Sequence, residues 1–168
     1  MYLGGGGVPE LPGKTEPADR NGVDAASGFA LAQKASSASD PDALPTLSIV
    51  VPTRHEAASI EAFLDRVLRA VTGISAEIVV VDDSDRDNTF EVLLRVKERV
   101  GESVVVVHRP QDSVAERTLG TAVVAGIRLA RGAFVCVMDA DGQHPPEAIP
   151  QMLDVALDTG ADYVGGSR

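Results

Sequence analysis

The chain has 168 residues and carries 25 Asp and Glu against 15 Lys and Arg, a formal charge of −10. That length holds one domain of ordinary size around a single core. The acidic balance excludes a nucleic-acid binder, which needs clustered Lys and Arg, so an anionic ligand must be met by a bound cation or a few placed arginines.

Residues 1–45 combine a glycine run at 4–7, several prolines and the Ala-Ser tract at 35–39, with few large apolar side chains. Such a segment buries too little surface to offset its ordering entropy, and the expectation is a disordered tail. From Leu47 the pattern changes. Residues 47–51, 77–82, 103–108 and 133–138 are continuous, largely β-branched runs of the kind found in strands buried on both faces, which is a parallel-sheet signal.

Between the first two runs, Ile60, Phe63, Leu64, Val67, Leu68 and Val71 recur at helical spacing. Between the second and third, Asn88 is placed to cap a helix that turns Phe90, Leu93, Leu94 and Val100 inward and stops at Gly101. A third helix is expected at about 120–130. A fourth follows Pro145-Pro146, with Ile149, Met152, Leu153, Ala156 and Leu157 facing inward, and residues 162–165 begin a fifth strand. Cys136, the one cysteine, sits in the fourth run, where a buried thiol acts as a small hydrophobe. No disulfide forms within the chain, and a reducing cytosol fits. No run approaches the roughly 18 apolar residues of a membrane span, and no basic-then-apolar leader opens the chain, so it reads as cytoplasmic.

Strand-helix alternation implies a doubly wound α/β sheet. Ligands in such sheets sit beyond the carboxyl ends of the strands, where strand order reverses. With the runs in the order 3-2-1-4, the loops after the first and fourth face each other and the loop after the second lies beside them.

The loop after the first run, Pro52-Thr53-Arg54-His55-Glu56, has no glycine, so neither a dinucleotide-binding turn nor a P-loop is present. The loop after the fourth, Asp139-Ala140-Asp141-Gly142-Gln143-His144, puts two carboxylates one residue apart at a strand end, with Gln143 continuing the series. Such oxygens suit one hard cation, Mg2+ or Mn2+, which bridges carboxylates to diphosphate oxygens and takes up charge on a departing diphosphate. A solvated acidic turn is the alternative. His144 reads as a turn residue or a support behind the metal rather than a ligand. After the second run, Asp83 is placed to accept from a nucleobase or ribose hydroxyl, while Asp85 and Asp87 read as turn and cap residues. Glu56 serves either the dipole of the first helix or, facing the crevice, a ligand.

Together, Pro52-Thr53-Arg54-His55-Glu56, Val81-Asp82-Asp83-Ser84, Leu119-Gly120-Thr121-Ala122, the stretch from Met138 to Glu147, and Gly166-Ser167-Arg168 resemble family 2 glycosyltransferases of the GT-A fold, most of all the polyprenol-phosphate (dolichyl-phosphate) mannosyltransferases. The resemblance runs from about Leu47 to the last residue. It implies transfer of a hexose, as mannose from GDP-mannose, to a polyprenyl phosphate with inversion, and peripheral membrane contact in the complete enzyme. By the same resemblance Pro52, Arg54, Glu56, Val81 and Asp83 hold the nucleoside. Asp139, Asp141 and Gln143 hold the metal and diphosphate as the catalytic centre, Ala140 lies against the nucleotide, and Arg168 contacts phosphate. Arg117 is a weaker candidate, or else a solvated loop residue.

Three departures stand out. Arg54 and His55 replace an aromatic residue and an asparagine, Thr118 replaces a glycine, and the chain stops at Arg168, where it reads as truncated before the acceptor-binding half. Two other readings stay open. One is a nucleotide-sugar-binding remnant without turnover. The other is a haloacid-dehalogenase-type phosphatase, whose D-x-D-G motif ends the first strand rather than the fourth. A receiver domain is a more distant option, since no lysine follows a later strand.

Overall fold

A computed structural model describes residues 2–5, 44–109 and 118–166. Its elements are β1 (Tyr2–Gly5), β2 (Leu47–Thr53), α1 (Ile60–Ala70), β3 (Ala76–Asp82), α2 (Thr89–Val100), β4 (Val104–His108), α3 (Leu119–Leu129), β5 (Phe134–Val137), α4 (Ile149–Thr159) and β6 (Tyr163–Gly165). The strands form one sheet in the order β4-β3-β2-β5-β1-β6. The β2–β3, β3–β4 and β2–β5 pairs are parallel, and β1 runs antiparallel to both β5 and β6. The four expected runs therefore lie in the expected 3-2-1-4 order.

β1 lies inside the segment 1–45 expected as a tail, and it pairs with the sheet. Strand pairing uses main-chain donors and acceptors, which a glycine-rich segment retains whatever its apolar content. Tyr2 pairs with Val137 and Gly5 with Phe134. At the end of the expected tail, Ala133 N donates to Pro45 O at 3.3 Å. The rest of that tail, residue 1 and residues 6–43, lies outside the described residues.

Alternation along each strand divides the core between two faces. Ile49, Val51, Ile78, Val80 and Cys136 face α1, α2 and α4, while Val50, Val79 and Val81 face α3 through Ala122. Gly126 lets α3 lie close, since a Cβ there would stand 2.3 Å from Val50 Cγ1. Two helix faces differ from expectation. The buried stripe of α2 is Thr89, Val92, Leu93 and Val96, and Leu94 is 46 % exposed. In α4, Ile149, Met152, Leu153 and Ala156 are buried and Leu157 is 49 % exposed. In both helices, i, i+3, i+4, i+7 spacing from the first buried residue picks out the observed set and leaves the outlying leucine on the next face. Asn88 occupies the N-cap position of α2 but makes no side-chain capping bond. Asp87 acts instead, accepting from Thr89 N at 3.3 Å and from its hydroxyl at 2.8 Å.

At the amino ends of the strands a buried polar knot ties three elements. Glu77 accepts from Ser48 Oγ at 2.7 Å, Arg131 N at 2.7 Å and Arg131 Nε at 2.9 Å, and Ser48 Oγ accepts from Gly132 N at 2.8 Å. Gly132 is obligatory there, because a Cβ would sit 2.5 Å from Ser48 N. The knot fixes β2, β3 and the entry to β5 at one end, so their carboxyl ends line up at the other.

Candidate active site

A cleft of about 350 Å³ opens beyond the carboxyl ends of β2, β3 and β5. Pro52 and Thr53 line it from the end of β2, Arg54 and Glu56 from the loop that follows, and Asp83 from just past β3. Asp139, Ala140 and Asp141 line it after β5, and Thr118, Leu119 and Ala122 from the start of α3. This is the crevice expected at the switch in strand order.

The loop after β2 has no glycine, so side chains from the loop after β3 hold it. His55 takes a positive φ of 59°. Its backbone N donates to Ser84 Oγ at 2.8 Å, and Ser84 Oγ donates to the fully buried Asp82 at 2.5 Å. The His55 ring pairs with Asp85 at 2.7 Å, and this hydrogen bond holds the Asp85 carboxyl below the usual range. Further along, Glu56 N donates to Thr89 Oγ1 at 3.0 Å and Ala57 N to Asp87 at 3.3 Å. Burial alone would raise the Asp87 carboxyl, but the bonds from Thr89 and Ala57 outweigh it and hold it low. Asp85 and Asp87 are thus loop-fastening residues, which leaves Arg54 exposed at the rim. The Glu56 carboxylate lies in the cleft and accepts from the Ser59 hydroxyl at 2.6 Å.

Asp83 is 5 % exposed and is gripped by Arg109 through two parallel contacts, Nε to Oδ1 at 2.6 Å and Nη2 to Oδ2. The Asp83 carboxylate holds the Arg109 guanidinium above its ordinary value. The register that sets Asp82 opposite His108 brings the two residues together. Arg109 also donates from Nη1 to Thr121 Oγ1 at 3.0 Å. Thr121 belongs to a capping box with Thr118, whose side chain accepts from Thr121 N at 3.2 Å.

Ala140 is buried, and its two flanking carboxylates reach the cleft from either side. Asp141 accepts from Gln143 N at 2.9 Å, while half-buried Asp139 makes no hydrogen bond or ion pair to the described residues. No group of three or more His, Cys, Asp and Glu stands ready to hold a metal among the described residues. Two hard oxygen donors on one turn, one of them without a partner among the described residues, fit a hard cation held openly rather than in a closed protein cage.

The structure brings Pro52, Arg54, Glu56, Asp83, Asp139, Ala140 and Asp141 to one cleft. Two expected residues are not among its lining. Val81 is fully buried beneath α3, because alternation turns its side chain away from the opening. Gln143 is exposed on the turn, where Gly142, at φ 76°, has already redirected the chain. Arg168 and Arg117 lie outside the described residues. Thr53, Leu119 and Arg109 were missed by sequence reasoning. The hydroxyl of Thr53 and His144 Nδ1 are buried without a partner among the described residues. For Arg109 the only sequence signal was its place immediately after the third run.

The glycosyl transferase family 2 model matches residues 48–168. The chain belongs to this family. It is similar to the dolichol-phosphate mannosyltransferase of Pyrococcus furiosus, with 38% identity over 73% of this chain and 33% of that one. It is equally similar to the undecaprenyl-phosphate 4-deoxy-4-formamido-L-arabinose transferase of Pseudomonas aeruginosa, with 38% identity over 76% of this chain and 37% of that one. Among solved structures, a mannosyltransferase of Pyrobaculum calidifontis in complex with GDP-Man and Mn2+ superposes with a TM-score of 0.53 and 25% identity, over 73% of this chain and 37% of that one. The fold is that of GT-A glycosyltransferases. The chain spans about a third of the length of these relatives. In this family 2 domain the acidic motif ends β5, the fourth of the expected runs, and not the first strand that a haloacid-dehalogenase phosphatase requires. No helix among the described residues is long and apolar enough to cross a membrane.

Proposed function

We propose that this chain holds the donor of a sugar transfer to polyprenyl phosphate, with GDP-mannose as donor and inversion at the anomeric carbon. The observation that carries the reading is Asp139, without a hydrogen bond or ion pair among the described residues, beside Asp141 in the same cleft as Glu56 and Asp83. In this account Glu56 and Asp83 accept hydrogen bonds from the nucleoside, and Pro52 and Ala140 supply its apolar walls. Asp139 and Asp141 hold Mg2+ or Mn2+, with Gln143 within two residues of the pair. A bound divalent cation there supplies the positive charge that a leaving diphosphate needs in an acidic protein.

The acceptor needs little activation. The second ionisation of a phosphate monoester lies near 6, so its oxygen is largely anionic at neutral pH. That oxygen attacks the anomeric carbon opposite the diphosphate, one C–O bond forms as the other breaks, and the nucleoside diphosphate leaves with the electron pair. Positioning by the cleft then supplies much of the rate. Arg54 at the rim is assigned to the nucleoside, and Arg168, outside the described residues, is the arginine assigned to phosphate. A lipid acceptor places the complete enzyme peripherally at the cytosolic membrane face. The names and bound ligands of the similar proteins support both the donor and the acceptor class.

The test is turnover of GDP-mannose by the 168-residue chain with a short prenyl phosphate and Mn2+, set against UDP-glucose. Mannosyl transfer with release of GDP is the expected result. Binding of GDP without transfer would favour the turnover-free alternative, and a phosphoenzyme trapped on Asp139 would overturn the reading.

A further inference from the structure

An aspartate in a nucleoside site is useful only if its carboxylate plane is fixed, and the terminal torsion of Asp is intrinsically broad. Asp83 rises from the end of β3 into the cleft, and nothing in its own loop fixes that torsion in the way that Ser59 holds Glu56. What fixes it comes from the neighbouring strand. The backbone of Arg109 is anchored to β3, its N donating to Asp82 O at 3.0 Å, just past the Asp82–His108 pairing. From there the planar fork of the guanidinium meets both Asp83 oxygens. Each carboxylate oxygen has two lone pairs, so one fork leaves acceptor capacity on the far side of each.

The same guanidinium reaches Thr121 in the first turn of α3, two residues past the Leu119 that also lines the cleft. One side chain thus sets both the plane of the acceptor and the seat of the first turn of α3. It also neutralises one of the four carboxylates of the cleft, leaving Glu56, Asp139 and Asp141 uncompensated by it.

We propose that Arg109 is a positioning residue for donor recognition, orienting Asp83 towards the nucleoside and tying the α3 wall to it; this rests on the donor-binding reading above. Arg109 acts through Asp83 and does not touch the reacting atoms.

The test is calorimetric GDP affinity, in Mn2+, of the 168-residue chain and of Arg109→Gln, Arg109→Lys, Asp83→Asn and the Arg109→Gln/Asp83→Asn double variant, with thermal melts to confirm folding. Arg109→Gln weakens GDP binding by roughly tenfold or more, the scale of one lost charge-assisted contact. Arg109→Lys keeps the charge, loses the fork, and recovers only part of that affinity. The double variant binds no more weakly than the worse single variant, because the two residues act as one unit. Losses that simply add, full recovery with lysine, or unchanged affinity in a folded Arg109→Gln would each overturn the proposal. If Arg109→Gln does not fold, Thr121→Val carries the test of the α3 tie, with affinity expected to fall by roughly a few fold, about one neutral hydrogen bond; unchanged affinity there overturns it. A parent chain that binds no GDP overturns the donor-binding reading itself, and the inference with it, whereas a binding parent with indifferent Arg109 variants overturns only the inference.

Discussion

Replacing Glu77 by glutamine probes the knot that aligns the strands beneath the cleft. Oε1 of Glu77 accepts from Ser48 Oγ and Arg131 N, both at 2.7 Å, while Oε2 accepts from Arg131 Nε at 2.9 Å and Nη2 at 2.8 Å. A carboxamide offers oxygen at only one of these positions. Its better orientation keeps the oxygen towards fully buried Ser48 and turns the NH2 towards the guanidinium, which is 59 % exposed and free to swing into water. Two charge-assisted contacts are lost and two buried ones become neutral, at a cost of about 2 kcal/mol.

The pH dependence has a definite sign. Burial alone would raise the Glu77 carboxyl, but the bonds from Ser48 and Arg131 and the charge of Arg131 outweigh it and hold the group below its ordinary value. The unfolded chain therefore takes up this proton first as pH falls. The stabilisation is full above the ordinary value of 4.5 and is lost as pH drops through the folded value. Urea denaturation followed by circular dichroism should show the Glu77→Gln deficit at neutral pH and a gap that narrows as pH falls below the ordinary value of 4.5. Equal stability at neutral pH, or a gap that does not narrow on acidification, would refute the reasoning.

Two further predictions follow from packing. Gly126→Ala drives a methyl to 2.3 Å from Val50 Cγ1; it should destabilise the fold by about 1–3 kcal/mol in the same denaturation assay, and a parent-like midpoint would contradict the close seating of α3. Burial pushes the Cys136 thiol up to about 12. The native chain should therefore resist iodoacetamide at mildly alkaline pH and react once unfolded in urea, as followed by mass spectrometry; rapid native labelling would show that the β5 core opens readily.

The parallel core was legible because strands buried on both faces are written as continuous runs of β-branched residues, as in Val79-Val80-Val81 and Val104-Val105-Val106-Val107. The acidic turn was legible because it closes such a run. β1 was not, since its place depends on main-chain pairing and leaves no apolar pattern in Tyr2–Gly5. Val81 was assigned to the ligand by resemblance, yet alternation sends its side chain under α3. Arg109 was overlooked because its partner Asp83 lies 26 residues away, and only the β3–β4 register makes them neighbours. Thr53 was quoted within its loop without a role. Its buried, unpartnered hydroxyl is a property of the folded cleft and not of the sequence.

If Asp139 and Asp141 form a cation-dependent diphosphate site, calorimetric titration of GDP with and without Mn2+ will show it, on the parent chain and on Asp139→Asn. Mn2+ should tighten GDP binding by about tenfold or more in the parent, as expected when a cation bridges carboxylates to phosphates, and this gain should collapse in Asp139→Asn. GDP affinity indifferent to Mn2+, or a metal-dependent gain that survives Asp139→Asn intact, would contradict it.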